Sequence, residues 1–378
     1  MSKPSSHSDG RALQPANGET SIAVHLARRS DNFLLLRIFA ALAVIYGHSF
    51  ALTKPGDLGD IFVRSGWPMY SGDMAVAMFF VISGYMVSGS YLVRGDLWEF
   101  TKARLLRIVP AFALVLVVCA YGIGPLLSNQ PMGDYFRDPA VAAYAWKNLR
   151  FSSDMAWQLP GVFQGQMRDA VNGSIWTLPA EMRMYVLTAA LGVFGLLTQR
   201  WLGTACMLLL VVLGITRPEY IPLHPDWFRL AGFFAVGILV QLHKDRLHVR
   251  HTAMLMLLLL VYLSMRSRAM PWLFALALAY FCFWFAYRTP VWRKLEQWGD
   301  PSYGIYLWGW PLQQVLVAKM PAISAWHNFA LAAVLATCMG YVSWWCLERP
   351  ALKLKHWHPR RLGTGASIRT KPPGDGLP

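Results

Sequence analysis

The sequence predicts an all-α fold: a polytopic transmembrane helix bundle of about ten spans with both termini cytoplasmic. Three observations point to it. Of 378 residues, 55% are hydrophobic and only 15% are charged, against about 25% charged in ordinary soluble domains. The apolar residues gather into runs close to the 20 or so that a helix needs to cross the hydrocarbon. The basic residues, which set a formal charge of +15, sit between those runs. There topology explains them better than nucleic acid does, and no nucleic-acid partner is expected.

Taken in order, residues 1–31 are polar, rich in Ser, Gly and Pro, then basic at Arg28 and Arg29. They contain no apolar core, so they are not a cleavable signal peptide, and a disordered cytoplasmic tail is expected. Apolar stretches follow at roughly 33–50, 74–92, 108–127, 174–197, 201–216, 227–242, 252–265, 271–287, 303–318 and 328–347, the seventh being short. They define a membrane domain over 32–352, followed by a basic, disordered cytoplasmic tail over 353–378. An even number of spans puts both termini on one side. Lys and Arg are about twice as numerous in the loops on that side, which assigns it to the cytoplasm. The longest outer loop, 128–173, is rich in Trp, Gly, Pro and amides, and either covers an outer site or packs there. The cysteines, Cys119, Cys206, Cys282, Cys338 and Cys346, lie in apolar runs without metal-ligand spacing. They are expected as buried small hydrophobes, with no disulfide framework and no metal.

The polar residues inside the spans carry the functional signal, because each costs about 3 kcal/mol there and usually faces protein or a watery cavity. In LLLRIFAALAVIYGHSF, Arg37 and His48 lie eleven residues apart. That places them on one helix face, about 16 Å apart along the axis, with Arg37 inward and His48 outward. Separately, each has a plainer reading, as a snorkelling anchor and as an interfacial histidine. Glu181, in VNGSIWTLPAEMRMYVL, is expected near the depth of His48, where a carboxylate orients an imidazole base, or else serves as a structural acid. Arg183 is about 200° around from Glu181 and pairs elsewhere. Arg104 and Arg107, i,i+3 neighbours before the third span, suit either phosphates or anionic lipid headgroups. Arg229, near the outer end of the sixth span, pairs with a buried acid or meets an acidic acceptor. Ser83 and Gly84, mid-span in FFVISGYMVSG, suit close helix packing.

These elements, in this order, resemble the membrane-bound acyltransferase-3 family, whose members O-acylate bacterial surface glycans and lipids. Arg37 and His48 match its opening motif, with ten residues between them. Phe79, Phe80, Ser83 and Gly84 match its FFxxSG element, and Arg104, Arg107 and Pro110 its RxxRxxP element. Asn172, Ser174, Trp176, Thr177, Leu178 and Glu181 match the following N-x-S element. Gly299, Ser302, Tyr303, Tyr306, Leu307 and Glu348-Arg349-Pro350 match the closing motifs. The resemblance covers about residues 32–352, and its flanks look most like the exopolysaccharide-modifying branch. Two positions depart from the pattern. Gly309 stands where many members carry a second His, and Leu35 where a small or acidic residue is usual.

The resemblance implies an enzyme of the bacterial inner (cytoplasmic) membrane, without a bound cofactor. Its donor would be cytoplasmic acyl-CoA, usually acetyl-CoA, and its acceptor a sugar hydroxyl of a polysaccharide or lipid-linked oligosaccharide. Arg37, Arg104 and Arg107, with Ser83 and Gly84, would hold the donor. His48 would act as general base, oriented by Glu181, or else carry the acyl group itself, and Arg37 would also serve catalysis by polarising the thioester. Asn172, Trp176, Arg229 and Tyr303 would support the acceptor side. Membrane lipids are the remaining partners. A proton-coupled transporter or flippase of a lipid-linked sugar would also carry such residues, but no internal repeat supports it. A non-catalytic assembly subunit is a third reading.

Overall fold

The structure, a computed structural model, describes residues 21–27, 31–53, 59–67, 69–216 and 225–356. The two expected tails therefore lie largely outside the described residues, as does the loop at 217–224. Among the described residues the chain is helical and forms no β-strand. Each predicted apolar stretch falls on a helix: α1 Phe33–Thr53, α2 Ser71–Arg94, α3 Leu97–Val118, α4 Leu178–Val193 and α5 Arg200–Thr216. The remainder are α6 Pro225–Leu242, α7 His251–Ser264, α8 Met270–Arg288, α9 Ser302–Lys319 and α10 Ala325–Ser343. Five are long and apolar enough to cross a membrane: α1, α2, α3 continued to Leu127, α8, and α10 continued to Lys353. The helices α5 and α7 are apolar but shorter.

Local chemistry sets the helix ends near the site. The carboxylate of Asp31 accepts the Phe33 N–H at 3.2 Å, and buried Asn32 donates to the Thr289 hydroxyl at 2.6 Å and the Pro290 carbonyl at 2.8 Å. This fixes α1 against the end of α8. Gly95 ends α2 with φ 65°, a left-handed conformation that favours glycine. Asp96 then caps α3 by accepting the Glu99 N–H at 2.7 Å.

The helix α9 is buried along its first half and packs on α1 and α10. Pro311 inside it has no N–H to give the Leu307 carbonyl one turn back. The Asn172 side chain donates to that carbonyl instead, at 3.0 Å. Asn172, expected on the acceptor side, is thus fully buried and repairs a proline break.

A tight backbone approach joins α2 and α6. A Cβ on Gly84 would run into the Phe234 carbonyl, and one on Gly237 into the Val81 carbonyl. Backbone cannot yield as a flexible side chain does, so Gly84→Ala should separate the two helices. The expected result is a severalfold loss of folded protein extracted from membranes, read as the monodisperse peak in detergent. A normal yield would mean that this contact is dispensable.

The outer surface of the bundle is apolar. On α7, Leu255, Met256, Leu259 and Leu263 are all exposed, a pattern that lipid satisfies and water does not. All five cysteines are unpaired: Cys119 and Cys282 are buried and Cys206 partly so. Cys338 and Cys346, expected inside, are exposed on the apolar flank of the last helix, where a thiol behaves as another small hydrophobe.

Candidate active site

Two cavities lie near opposite ends of α1, and between them they gather most of the residues singled out from the sequence. The first, the arginine cavity, is enclosed by α1, α2, α3, α4 and α9 and holds about 140 Å³. Arg37, Ser83, Arg104, Arg107, Glu181 and Tyr303 line it, with Val76, Phe79, Phe80 and Leu178 forming an apolar side. Gly84 is not in this lining; it faces α6. Tyr303 donates its hydroxyl to the Ile108 carbonyl at 3.1 Å, tying α9 to α3.

The three arginines are not equivalent. Arg37 and Arg107 both reach Oδ2 of Asp300, at 3.1 and 2.6 Å. Arg107 also meets Glu348 at 3.0 Å, and the second oxygen of that fully buried carboxylate accepts the Ser343 hydroxyl at 2.9 Å. Arg104 forms no ion pair among the described residues; its guanidinium lies 5.9 Å from the Tyr185 ring centre. The Tyr185 hydroxyl donates to Glu181. Asp300 is not among the residues expected from the sequence. A signal for it exists there, an acid two residues before the late S-Y-x-x-Y-L motif.

Burial would raise the Asp300 pKa, but Arg37, Arg107 and two hydrogen bonds from Ser302 outweigh it and hold the carboxyl at about 2. A depressed carboxylate contributes stability above its unfolded pKa, about 4, and loses it as pH falls through the folded value. The melting-temperature gap between wild type and Asp300→Asn should therefore be constant above about pH 4 and close towards pH 2. A gap that already narrows between pH 8 and 6 would show that this carboxylate is not held as described.

The second, the histidine cavity, holds about 950 Å³ and is walled by Trp157, Trp176, Trp310 and Tyr70, with Asp60, Arg168 and Asp169 at its polar positions. His48 lines it and is 6% exposed. Its ring meets Trp310 edge-on, with centroids 4.7 Å apart, and its Nδ1 is buried without a hydrogen-bond partner. The second half of segment 128–173 lines this cavity, through Met155, Trp157, Gln158 and residues 168–170 and 173. Trp310 donates to the Ala170 carbonyl at 2.9 Å and Gln314 to the Arg168 carbonyl at 2.7 Å, so α9 holds that segment down.

The expected pairing of Glu181 with His48 is not formed. Depth along a helix does not fix the face: Trp176 reaches the histidine cavity, whereas Glu181, five residues on, faces the arginine cavity. Between the two cavities stand Trp176–Thr177 on one side and Tyr306–Trp310 on the other. Tyr306 donates to the Ser174 carbonyl at 2.5 Å, which leaves the Thr177 hydroxyl to donate to Tyr306 at 2.7 Å. Gly309 lets α9 close on α1, since a Cβ there would lie 2.7 Å from Ile45. The absence of a histidine at 309 thus goes with tight packing one turn from His48.

Two further cations lie outside both linings. Arg229 pairs with Asp226 at 3.1 Å and Asp73 at 3.7 Å, which answers the question of its partner. Arg183 stacks over the Trp227 ring at 4.5 Å. The Trp227 indole in turn donates to the Trp176 carbonyl at 2.9 Å.

Comparison with known proteins adds an independent line. A family model described as an acyltransferase domain matches residues 31–349. An "O-acetyl transferase" of Shigella phage Sf6 is 25% identical over 337 residues, covering 85% of this chain and 96% of the relative. "Nodulation protein 10" of Rhizobium leguminosarum bv. viciae is 25% identical over 363 residues, covering 88% and 95%. No solved structure matches the chain.

Proposed function

This chain belongs to the acyltransferase-3 family and is a membrane-embedded O-acetyltransferase, and from that premise we propose that it acetylates a hydroxyl of a surface or exported glycan from cytoplasmic acetyl-CoA. The proposed setting is the bacterial inner membrane, crossed about ten times, with both termini and the arginine cavity on the cytoplasmic side. The acceptor is a polysaccharide or glycolipid that enters the histidine cavity from outside.

The observation that carries this reading is the division of chemistry along α1. One end opens on a cavity with an unpaired guanidinium and an apolar side, which suits a slender anionic thioester. The other opens on a wide cavity with three indoles, which suit the apolar faces of a sugar ring, and with an imidazole whose buried Nδ1 has no hydrogen-bond partner.

In the proposed reaction Arg104 and Arg37 bind the phosphates of the donor, and Ser83 lies along its path. Glu181, bonded by Tyr185, sets the electrostatics around Arg104. The thioester passes the Thr177–Tyr306 wall towards His48. The imidazole takes the proton of the acceptor hydroxyl as the oxygen attacks the thioester carbonyl. The tetrahedral intermediate collapses by breaking its C–S bond. The departing thiolate takes up the proton from the imidazolium, giving the ester and free CoA.

Membranes containing the protein, incubated with acetyl-labelled acetyl-CoA and isolated surface polysaccharide, should place base-labile label on the glycan. Transport of intact glycan without any labelling would point to a carrier and end this proposal.

A further inference from the structure

Two arginines that would repel one another share a single carboxylate oxygen, and we propose that Asp300 is a positioning residue that sets Arg37 for the anionic part of the donor, with Arg107 as its anchor. The inference rests on the reading of the arginine cavity as the donor site.

Arg37 comes from α1 and Arg107 from α3, and no sequence-local geometry brings them together. Asp300 Oδ2 does so, at 3.1 and 2.6 Å. Its other oxygen is held by the Ser302 hydroxyl at 2.5 Å and the Ser302 N–H at 3.2 Å, at the start of α9. The carboxylate therefore has a fixed place and a fixed orientation, and remains ionised across the neutral range.

Arg107 spends one terminal nitrogen on Asp300 and the other on Glu348. Arg37 spends one terminal nitrogen and keeps its Nε, buried and without a partner. Asp300 thus offsets the mutual repulsion of the two cations while leaving Arg37 with unused donors in the cavity. A carboxylate merely holding the place of a donor phosphate would be loosely held. Asp300 has two cations on one oxygen and two hydrogen bonds on the other, which argues for a permanent fitting.

The test uses the full-length protein in membranes and measures kcat and KM for donor and acceptor separately. Asp300→Asn should raise the donor KM by about tenfold or more, the loss expected when a charge-assisted contact is disarranged, and leave the acceptor KM unchanged. Asp300→Glu, which keeps the charge, should recover part of the loss. Ser302→Ala, which frees only the carboxylate's orientation, should shift the donor KM in the same direction by less. A fall in donor KM would overturn the proposal, since it would make Asp300 a competitor of the donor. An unchanged donor KM would overturn it equally, leaving a purely structural clasp. Should Asp300→Asn fail to accumulate, an unchanged donor KM in both other variants overturns the proposal in its place. Absence of any acetyl-CoA-dependent transfer by the wild type brings down the donor-site reading and this inference with it. Normal wild-type kinetics with an indifferent Asp300 series sinks the inference alone.

Discussion

His48→Ala abolishes acyl transfer while the protein still accumulates in the membrane. The two halves of this result have separate physical grounds. The His48 imidazole makes no hydrogen bond among the described residues, and its Nδ1 is buried without a partner. Truncation therefore strands no donor or acceptor, and the loss is confined to ring packing against Trp310. A positioned general base, by contrast, contributes roughly 10²- to 10⁴-fold to rate. Labelled transfer to the glycan should fall by at least the lower figure, with extracted protein near the wild-type amount. Near-full activity in this variant would remove His48 from the chemistry, and since Gly309 offers no second histidine, the proposed mechanism would have no base.

Arg104→Gln raises the donor KM by about 10- to 100-fold, the range given by losing a hydrogen bond to a charged group worth about 1.5–3 kcal/mol. Its protein yield stays normal, because Arg104 has no ion pair to lose among the described residues. Arg107→Gln is the contrasting case, although the two residues stand one helical turn apart. It leaves the fully buried Glu348 without its cation, and stranding a buried charge costs about 3–5 kcal/mol. Its main effect should be a loss of folded protein. Measuring yield and donor KM for both variants separates the two roles. A normal donor KM in Arg104→Gln would rule it out as the phosphate anchor, and equal behaviour of the pair would erase the distinction.

The helices and many of the cavity residues are legible in the sequence for different reasons. Apolar runs and their interruptions are local, so each predicted stretch coincides with a helix. Arg37, Ser83, Arg104 and Glu181 stand out because polar atoms in hydrocarbon need an explanation, wherever they turn out to point. Pairing is far less legible. Depth alone matches Glu181 to His48, whereas the turn of helix between Trp176 and Glu181 sends them to different cavities. Asn172 reads as an acceptor residue because its local motif does not reveal that Pro311, far along the chain, leaves a carbonyl in need of a donor. Asp300 escapes notice for a similar reason: at the end of a loop it looks like ordinary surface charge, and only the folded chain brings two arginines to it.

The ionic clasp also bears on how this protein is made. Arg107 precedes Asp300 by 193 residues and Glu348 by 241. During synthesis the early helices therefore enter the bilayer with guanidiniums whose counter-charges have not yet been translated. Until Asp300 and then Glu348 are made, those cations must stay near the headgroups or keep water beside them. Completion of the C-terminal segment is thus the event that neutralises the first helices, and a ribosome that stops short of Glu348 releases a chain with a permanent electrostatic defect.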